Sequence, residues 1–266
     1  MKARLVVSYN GAGFHGFAPN HDVRTVLGDR TESISRVVRT PVDLTGAGRT
    51  DAGVHAWGQV VSGDLPDATD LDALVRRVNK MCGPAIAVRS AEWTSDDFNA
   101  RFSAVWRQYR YDVWNSPTPN PLLAARSWWV RDPLDLDAMD TACGSIVGEH
   151  DFTTFCRRAK VAEGEAVKSL VRRVHSARWS DVSETFGDAA GRSPSPSDSR
   201  LVRFEIRANA FCHQMVRSLV GTTVDVGTGR FAPADVAGML AARDRATAGR
   251  VAPPDGLTLW RVGYPN

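Results

Sequence analysis

Apolar residues recur along the chain with two periods, and the switch between them marks out the elements. Residues 3–9 alternate, with Ala3, Leu5 and Val7 set against Arg4, Val6 and Ser8. A period of two is that of a strand with one face buried. Over residues 25–39 the pattern becomes helical, with Val26, Leu27, Ile34, Val37 and Val38 on one side. Short strands are expected at 42–46 and 58–64. The spacing predicts a second helix over 70–82, with Asp70 as its N-cap and Leu71, Leu74, Val75 and Val78 as its apolar face. A strand over 85–93 closes this half. The order is βαββαβ, the split βαβ or ferredoxin-like pattern.

The rest of the chain reads as a second version with additions. Residues 104–114 form an aromatic strand, 135–147 a helix, 170–180 and 201–209 strands, 211–224 and 233–242 helical segments, and 257–263 a last strand. The expected fold class is α+β: two ferredoxin-like (RRM-like) halves, residues 1–103 and 104–266, with mainly antiparallel sheets joined side by side around a central catalytic cleft. Residues 181–200 are rich in Ser, Pro, Gly and Asp and read as a flexible hairpin tip between two strands.

Composition narrows the class. With 266 residues, 43% hydrophobic and 24% charged, the chain has the make-up of a soluble globular protein with a substantial core. No apolar run reaches the roughly 18–20 residues that cross a bilayer. The basic residues at the N-terminus precede no long apolar stretch, so the cytoplasm is the expected location. Cys82, Cys143, Cys156 and Cys212 are scattered without a Cys-x-x-Cys pair, and the six histidines show no metal spacing. Four reduced thiols and no metal site are therefore expected. The net charge of +3 is too weak to imply nucleic acid. Among 33 basic residues, however, only Lys2, Lys80, Lys160 and Lys168 are lysine. The ratio is accounted for by codon bias, but arginine also suits bidentate phosphate binding. This leaves Arg107/Arg110, Arg157/Arg158 and Arg172/Arg173 as candidate phosphate contacts.

One loop concentrates candidate chemistry. Gly46-Ala-Gly-Arg-Thr-Asp51-Ala-Gly-Val-His55 places Arg49, Asp51 and His55 within seven residues, among Gly46, Gly48 and Gly53. It is not a dinucleotide-binding turn, because Asp51 stands where the third glycine would be and no long helix clearly follows. The glycines let the backbone turn tightly and let a bulky substrate approach. Alone, such a cluster is more often a polar turn with a local salt bridge.

Its wording changes that balance. Gly-Arg-Thr-Asp-Ala-Gly-Val-His-Ala at 48–56 resembles the signature of the bacterial tRNA pseudouridine synthase A family. The resemblance continues, in the family's order, over nearly the whole chain. It takes in Asp96-Asp97-Phe98 with Arg101, Arg107-Gln-Tyr109-Arg-Tyr111, and Gly148-Glu-His-Asp151-Phe152-Thr-Thr-Phe155. It then takes in Ala208 to Gly221, Gly256-Leu257 and Tyr264-Pro265. Two departures stand out. Gly16-Phe17-Ala18-Pro19 replaces Gly-Trp-Gln, and Thr25-Val26-Leu27 replaces Thr-Val-Gln. Both lie outside the loop, so they are expected to bear on how RNA is read and not on the chemistry.

The resemblance implies an isomerase that converts uridine to pseudouridine at positions 38–40 of the tRNA anticodon stem-loop, working as a homodimer with one tRNA crossing both subunits. It implies Asp51 as nucleophile, Arg217 as its charged partner and Tyr109 stacked on the uracil. It also implies Leu257 packed against the base and Arg49 filling the gap left by a flipped nucleotide. His55 is a further substrate-binding candidate, with a structural role equally open. Tyr109 and Tyr111 share a face, and only the family pattern chooses Tyr109. Trp106, Tyr111 and Trp114 then read as core or support. The carboxylate must be ionised whether it attacks the anomeric carbon or removes the C2′ proton, and a nearby arginine favours that form. No cofactor is needed, because the isomerisation is redox-neutral. Two other classes compete. A non-catalytic RNA-binding module would use the same aromatic sheet, but Asp51, Tyr109 and Arg217 together argue against it. A carbohydrate hydrolase needs a second carboxylate, and none is identifiable beside Asp51.

Overall fold

The computed structural model describes residues 1–20, 22–158, 169–184 and 199–265. In chain order its elements begin β1 (Lys2–Tyr9), α1 (Val26–Val38), β2 (Thr45–Gly46), β3 (His55–Asp64), α2 (Leu71–Cys82) and β4 (Ile86–Trp93). They continue with β5 (Trp106–Asn115), β6 (Trp128–Val130), α3 (Leu136–Cys143), β7 (Gly148–Asp151), β8 (Val171–Asp181) and β9 (Arg200–Ala208). Helices α4 (Met215–Gly227) and α5 (Asp235–Ala242) and strand β10 (Leu257–Gly263) complete the chain. The class is α+β with largely antiparallel strands.

The chain divides into two compact units: Met1–Arg107 with Thr258–Asn266, and Gln108–Leu257. In the first, the strand order is β4-β1-β3-β10, with β2 on β3. The β1 register pairs Leu5 with Val61 on one side and with Ala91 on the other, both antiparallel. Ala3, Leu5, Val7 and Tyr9 are buried, as the alternation predicts, while Arg4, Val6 and Ser8 are half-exposed. Thr25 caps α1 by accepting the Gly28 N–H, and Asp70 caps α2 by accepting the Ala73 N–H at 2.9 Å. Helix α2 packs on β4, and the Asn79 side chain bonds both backbone groups of Val88. The buried stripe of α1 contains Val26, Leu27 and Ile34 as predicted, but also Arg30, which is 1% exposed.

In the second unit the order is β5-β9-β8-β7, with β6 parallel to β5. Strands β6 and β7, at three and four residues, carry too little alternation to be read from sequence. Across the sheet, Arg203 forms a bidentate pair with Asp112, and Glu205 accepts from both Arg110 and Arg178. Helix α4 is buried almost all round, so it belongs to a core and not to a surface. It starts at Met215, after a left-handed Gln214 (φ 63°), four residues later than the periodicity suggested. Buried Asp225 on α4 receives Arg250 at 3.0 Å, which ties the 249–250 segment to the helix.

Two expectations are corrected. Cys156 and Cys212 are joined as a disulfide with Cα atoms 5.8 Å apart, so the four thiols are not all free. The folded backbone brings together residues 56 apart, which no local spacing could reveal. Arg107 and Arg110 face protein rather than phosphate. Arg107 donates to the carbonyls of Ala104, Ala47 and Arg101, and Arg110 to Glu205. The predicted flexible tip falls mainly on 185–198, outside the described residues; β8 ends at Asp181 and β9 starts at Arg200.

Candidate active site

The loop bearing Asp51 lies between β2 and β3 in the first unit and is tied down from four sides. The buried Tyr9 hydroxyl meets Thr50 Oγ1 at 2.8 Å. The Gln59 side-chain amide donates to the Gly48 carbonyl at 2.9 Å, and Arg107 Nη2 donates to the Ala47 carbonyl at 2.9 Å. The Phe17 N–H donates to the Thr50 carbonyl at 3.1 Å. Burial pushes the Tyr9 hydroxyl's pKa far up, so it stays a neutral donor or acceptor. Thr50 is thus an anchor. Its neighbours Arg49, exposed, and Asp51, half-buried, are presented outward from a fixed backbone. The Val54 N–H closes the turn on the Asp51 carbonyl at 3.2 Å.

The glycines around this loop serve different needs. Gly53 has φ 81°, which only glycine adopts cheaply. At Gly46 a Cβ would run into the Phe17 ring. At Gly48 a Cβ would meet nothing within 4 Å, so space beside this residue is open. Gly16 (φ 97°) and Gly11 belong to the same construction though they lie before α1. A Cβ on Gly16 would sit 3.1 Å from the Thr50 carbonyl, and one on Gly11 would strike the Val54 carbonyl.

Phe17 is 2% exposed, stacks on Tyr9 at 6.0 Å and underlies Gly46. The departure at this position therefore touches the loop's support, contrary to the expectation that it bears on RNA reading alone. Leu27 is also buried, with its N–H on the Phe17 carbonyl. His55 is 8% exposed and its Nδ1 accepts the Gly11 N–H at 3.1 Å, so the ring pins the strand that follows the loop to the Gly11 turn.

In the second unit Arg217 and Leu257 gather around residues 252–257, and Tyr109 packs elsewhere, on Phe211. Of the thirteen residues of α4, Arg217 is the one not buried. Its Nε donates to the Ala252 carbonyl at 2.7 Å, and the Ala252 N–H returns a bond to the Arg217 carbonyl at 3.0 Å. Tyr111 is fully buried and donates to the Pro253 carbonyl at 2.8 Å. Burial drives its pKa up, and the Arg217 charge opposes this. The Asp112 N–H reaches the Gly256 carbonyl at 3.0 Å, and a Cβ on Gly256 would collide with the Tyr111 ring. Leu257 follows, buried. Tyr109, two residues before Tyr111 on the same side of β5, packs edge-on to Phe211 with ring centroids 5.0 Å apart. One short backbone strip therefore fixes Arg217, Tyr111 and Leu257 together. Tyr111 is a packing and anchoring residue, as expected.

Sequence reading did not find Tyr9, Gln59 or Ala252, and it gave Thr50 and Phe17 no part in holding the loop. A polar residue on the buried side of a strand, such as Gln59 in β3, is the one signal that could have pointed to the loop's clamp. Among the described residues no three His, Cys, Asp or Glu side chains are grouped to hold a metal ion, and no helix is long and apolar enough to cross a membrane.

The Asp51 carboxylate thus stands on a clamped glycine loop in the first unit, and Arg217, Tyr111 and Leu257 share one strip of backbone in the second. Residues 142–265 match the family model described as tRNA pseudouridine synthase. Curated relatives extend the likeness to the whole chain. The tRNA pseudouridine synthase A of Cutibacterium acnes is 41% identical over 266 residues, covering 99% of this chain and 88% of that protein. Those of Leifsonia xyli subsp. xyli and Burkholderia mallei are each 39% identical, over 283 and 269 residues, and cover 98% and 100% of this chain and 91% and 90% of their own. A superposition on a chain of the solved Cbf5–Nop10–Gar1 complex spans 97% of this chain and 49% of that one, at 12% identity and a TM-score of 0.34, too weak a likeness to carry residue correspondences. The chain belongs to the tRNA pseudouridine synthase A family.

Proposed function

We propose that the protein is a tRNA-uridine isomerase acting at positions 38–40 of the anticodon stem-loop, with Asp51 as the nucleophile. The observation that carries this reading is the Asp51 loop. Its backbone is held by Gln59, Arg107 and Phe17 and its Thr50 hydroxyl by Tyr9, so the segment that carries the carboxylate is fixed before substrate arrives. The reaction breaks the bond between the anomeric carbon and uracil N1 and turns the base. It then joins the same carbon to uracil C5, whose hydrogen leaves to solvent as a proton while N1, freed from the sugar, takes up a proton in its place. Asp51 acts at the sugar, by addition to the anomeric carbon or by removal of the C2′ proton. Arg217 supplies positive charge for the ionised carboxylate and Tyr109 stacks on the base. Leu257 covers the base, and Arg49, exposed on the loop, fills the stack that the flipped nucleotide vacates. The buried bond to Gly11 supports His55 as a positioning residue for the loop.

In the first unit β2 pairs antiparallel with β3 beside the β4-β1-β3 run, which supports reading that half as ferredoxin-like; the second half is read so by its similar element order. The family likeness supports a cytoplasmic homodimer. The test is tritium release from tRNA transcripts labelled at uracil C5, with no metal or nucleotide added. Release is expected, and it should vanish from transcripts whose uridines at 38–40 are replaced by cytidine. Release that persists from those transcripts moves the target elsewhere. Binding without release from any tRNA pool leaves an RNA-binding module.

A further inference from the structure

Strand β3 is buried along its length except at two positions, the terminal Asp64 and Trp57. Trp57 leaves 45% of its surface exposed. Single exposed apolar residues are ordinary, but this one is not single. Its ring is stacked with Trp260 at 6.0 Å and 19°, and the Arg89 guanidinium lies 3.9 Å from its centroid while donating to the Trp57 carbonyl at 3.1 Å. These residues line a cleft of about 230 Å³ with Arg4, Gly58, Val60 and Arg261. A Cβ on Gly58 would strike the Trp260 carbonyl, so the wall closes only because position 58 is glycine.

The cleft uses the face of β1 that carries Arg4 and Val6, opposite the buried Ala3, Leu5 and Val7. Three guanidinium groups therefore converge on one small concavity. Arg4 is paired with Glu92 at 2.8 Å. Among the described residues Arg89 and Arg261 are in no ion pair, and each lies over an indole, Trp57 and Trp106 respectively. Like charges gathered around aromatic rings favour a ligand that brings negative charge and flat apolar surface together. An unstacked nucleotide does so, since the base stacks and the phosphate meets the fork of an arginine. The volume is below the roughly 300–1,000 Å³ of sites for drug-sized ligands and suits a single base.

We infer that this cleft is a second RNA contact, holding one unpaired nucleotide of the tRNA substrate away from the nucleotide that reacts. The inference rests on the tRNA reading above. Trp57 is six residues from Asp51, so their Cα atoms are at most roughly 20 Å apart, and one tRNA can engage both. The contact holds substrate and takes no part in bond making.

The experiment measures tRNA binding and single-turnover tritium release with the full chain, comparing wild type with Trp57→Ala, Trp57→Phe, Arg89→Gln and Arg261→Gln. Trp57→Ala is expected to raise Kd roughly tenfold, the loss of one base stack, while Trp57→Phe keeps most of the affinity. Each arginine variant should flatten the plot of log affinity against log salt by about 0.7. The release rate at saturating tRNA, the melting temperature and the sedimenting mass should stay at wild-type values. Unchanged Kd and salt slope in all four variants, with an active wild type, would overturn the inference. So would a fall in affinity accompanied by a loss of mass, because the cleft would then be a contact between copies of the chain. A wild type that binds tRNA but releases no tritium sinks the isomerase reading instead, and the Kd comparison still decides the cleft.

Discussion

The Asp51 loop and the α4 helix are held by opposite means. The loop is fixed by polar side chains from β1, β3 and the start of β5, the first reaching the Thr50 hydroxyl and the other two backbone carbonyls. Helix α4 is fixed mainly by burial on nearly every side, with Arg217 the one residue spared. Directional bonds can be removed one at a time, and each loss lets a carboxylate drift while the core stays intact. Packing is shared among many neighbours, so a loss there is felt as stability first. Defects around the loop should therefore be seen in turnover, and defects around α4 in melting.

Substitutions can break or sharpen this contrast. The largest effect is expected from Asp51→Asn: tritium release should fall on the order of 10⁴-fold, as for loss of a nucleophile's machinery. Melting temperature and tRNA affinity should be unchanged; activity above a tenth of wild type would remove Asp51 from its role. Arg217→Ala should lower turnover by roughly 10²–10³. Lysine should not rescue it, because the Nε–H bond to the Ala252 carbonyl needs the arginine fork. Rescue by lysine in single-turnover assays would show that charge alone matters.

The third effect concerns stability. Arg30 sits in the buried stripe of α1 with its guanidinium nitrogens unpartnered among the described residues, and burial lowers its pKa. Arg30→Leu should stabilise the protein by about 1–4 kcal/mol in urea unfolding. A destabilised variant would mean that Arg30 has a partner in solution. Tyr9→Phe removes the bond to Thr50 and should cost about 1 kcal/mol, with turnover falling several-fold and affinity for tRNA retained.

The smallest effect is a pH dependence. Burial raises the pKa of Glu205, but the bonds from Arg178 and Arg110 outweigh it and leave it below the usual carboxylate range. A depressed folded-state pKa adds stability above the unfolded value that is lost as pH falls through the folded one. Glu205→Gln should accordingly flatten the acid limb of a stability–pH curve.

What the chain reveals by itself follows from how far its physics reaches. Alternation in β1, helical spacing in α1 and α2, and the Asp70 cap are local, and each was readable. The Asp51 loop was visible through its residue types, but its supports were not. Tyr9 meets Thr50 across 41 positions and Arg107 meets Ala47 across 60, and no periodicity encodes such pairs. Arg30 stayed hidden because a charged residue inside an apolar stripe reads as its exposed edge. The strip 252–257 was legible only at Gly256 and Leu257. The role of Ala252 and Pro253 is carried by backbone carbonyls, to which the side-chain sequence is blind.

The glycines near the loop have a consequence for how this sequence can vary over generations. Gly11 and Gly16 lie about 40 positions before Asp51, yet a single added methyl at either would press on the loop's own backbone. A library of point substitutions scored for survival should therefore place these glycines, with Gly46 and Gly53, among the intolerant positions beside Asp51 itself. Gly48, with open space around it, should accept alanine in any score of folding and show its constraint only when RNA is the judge.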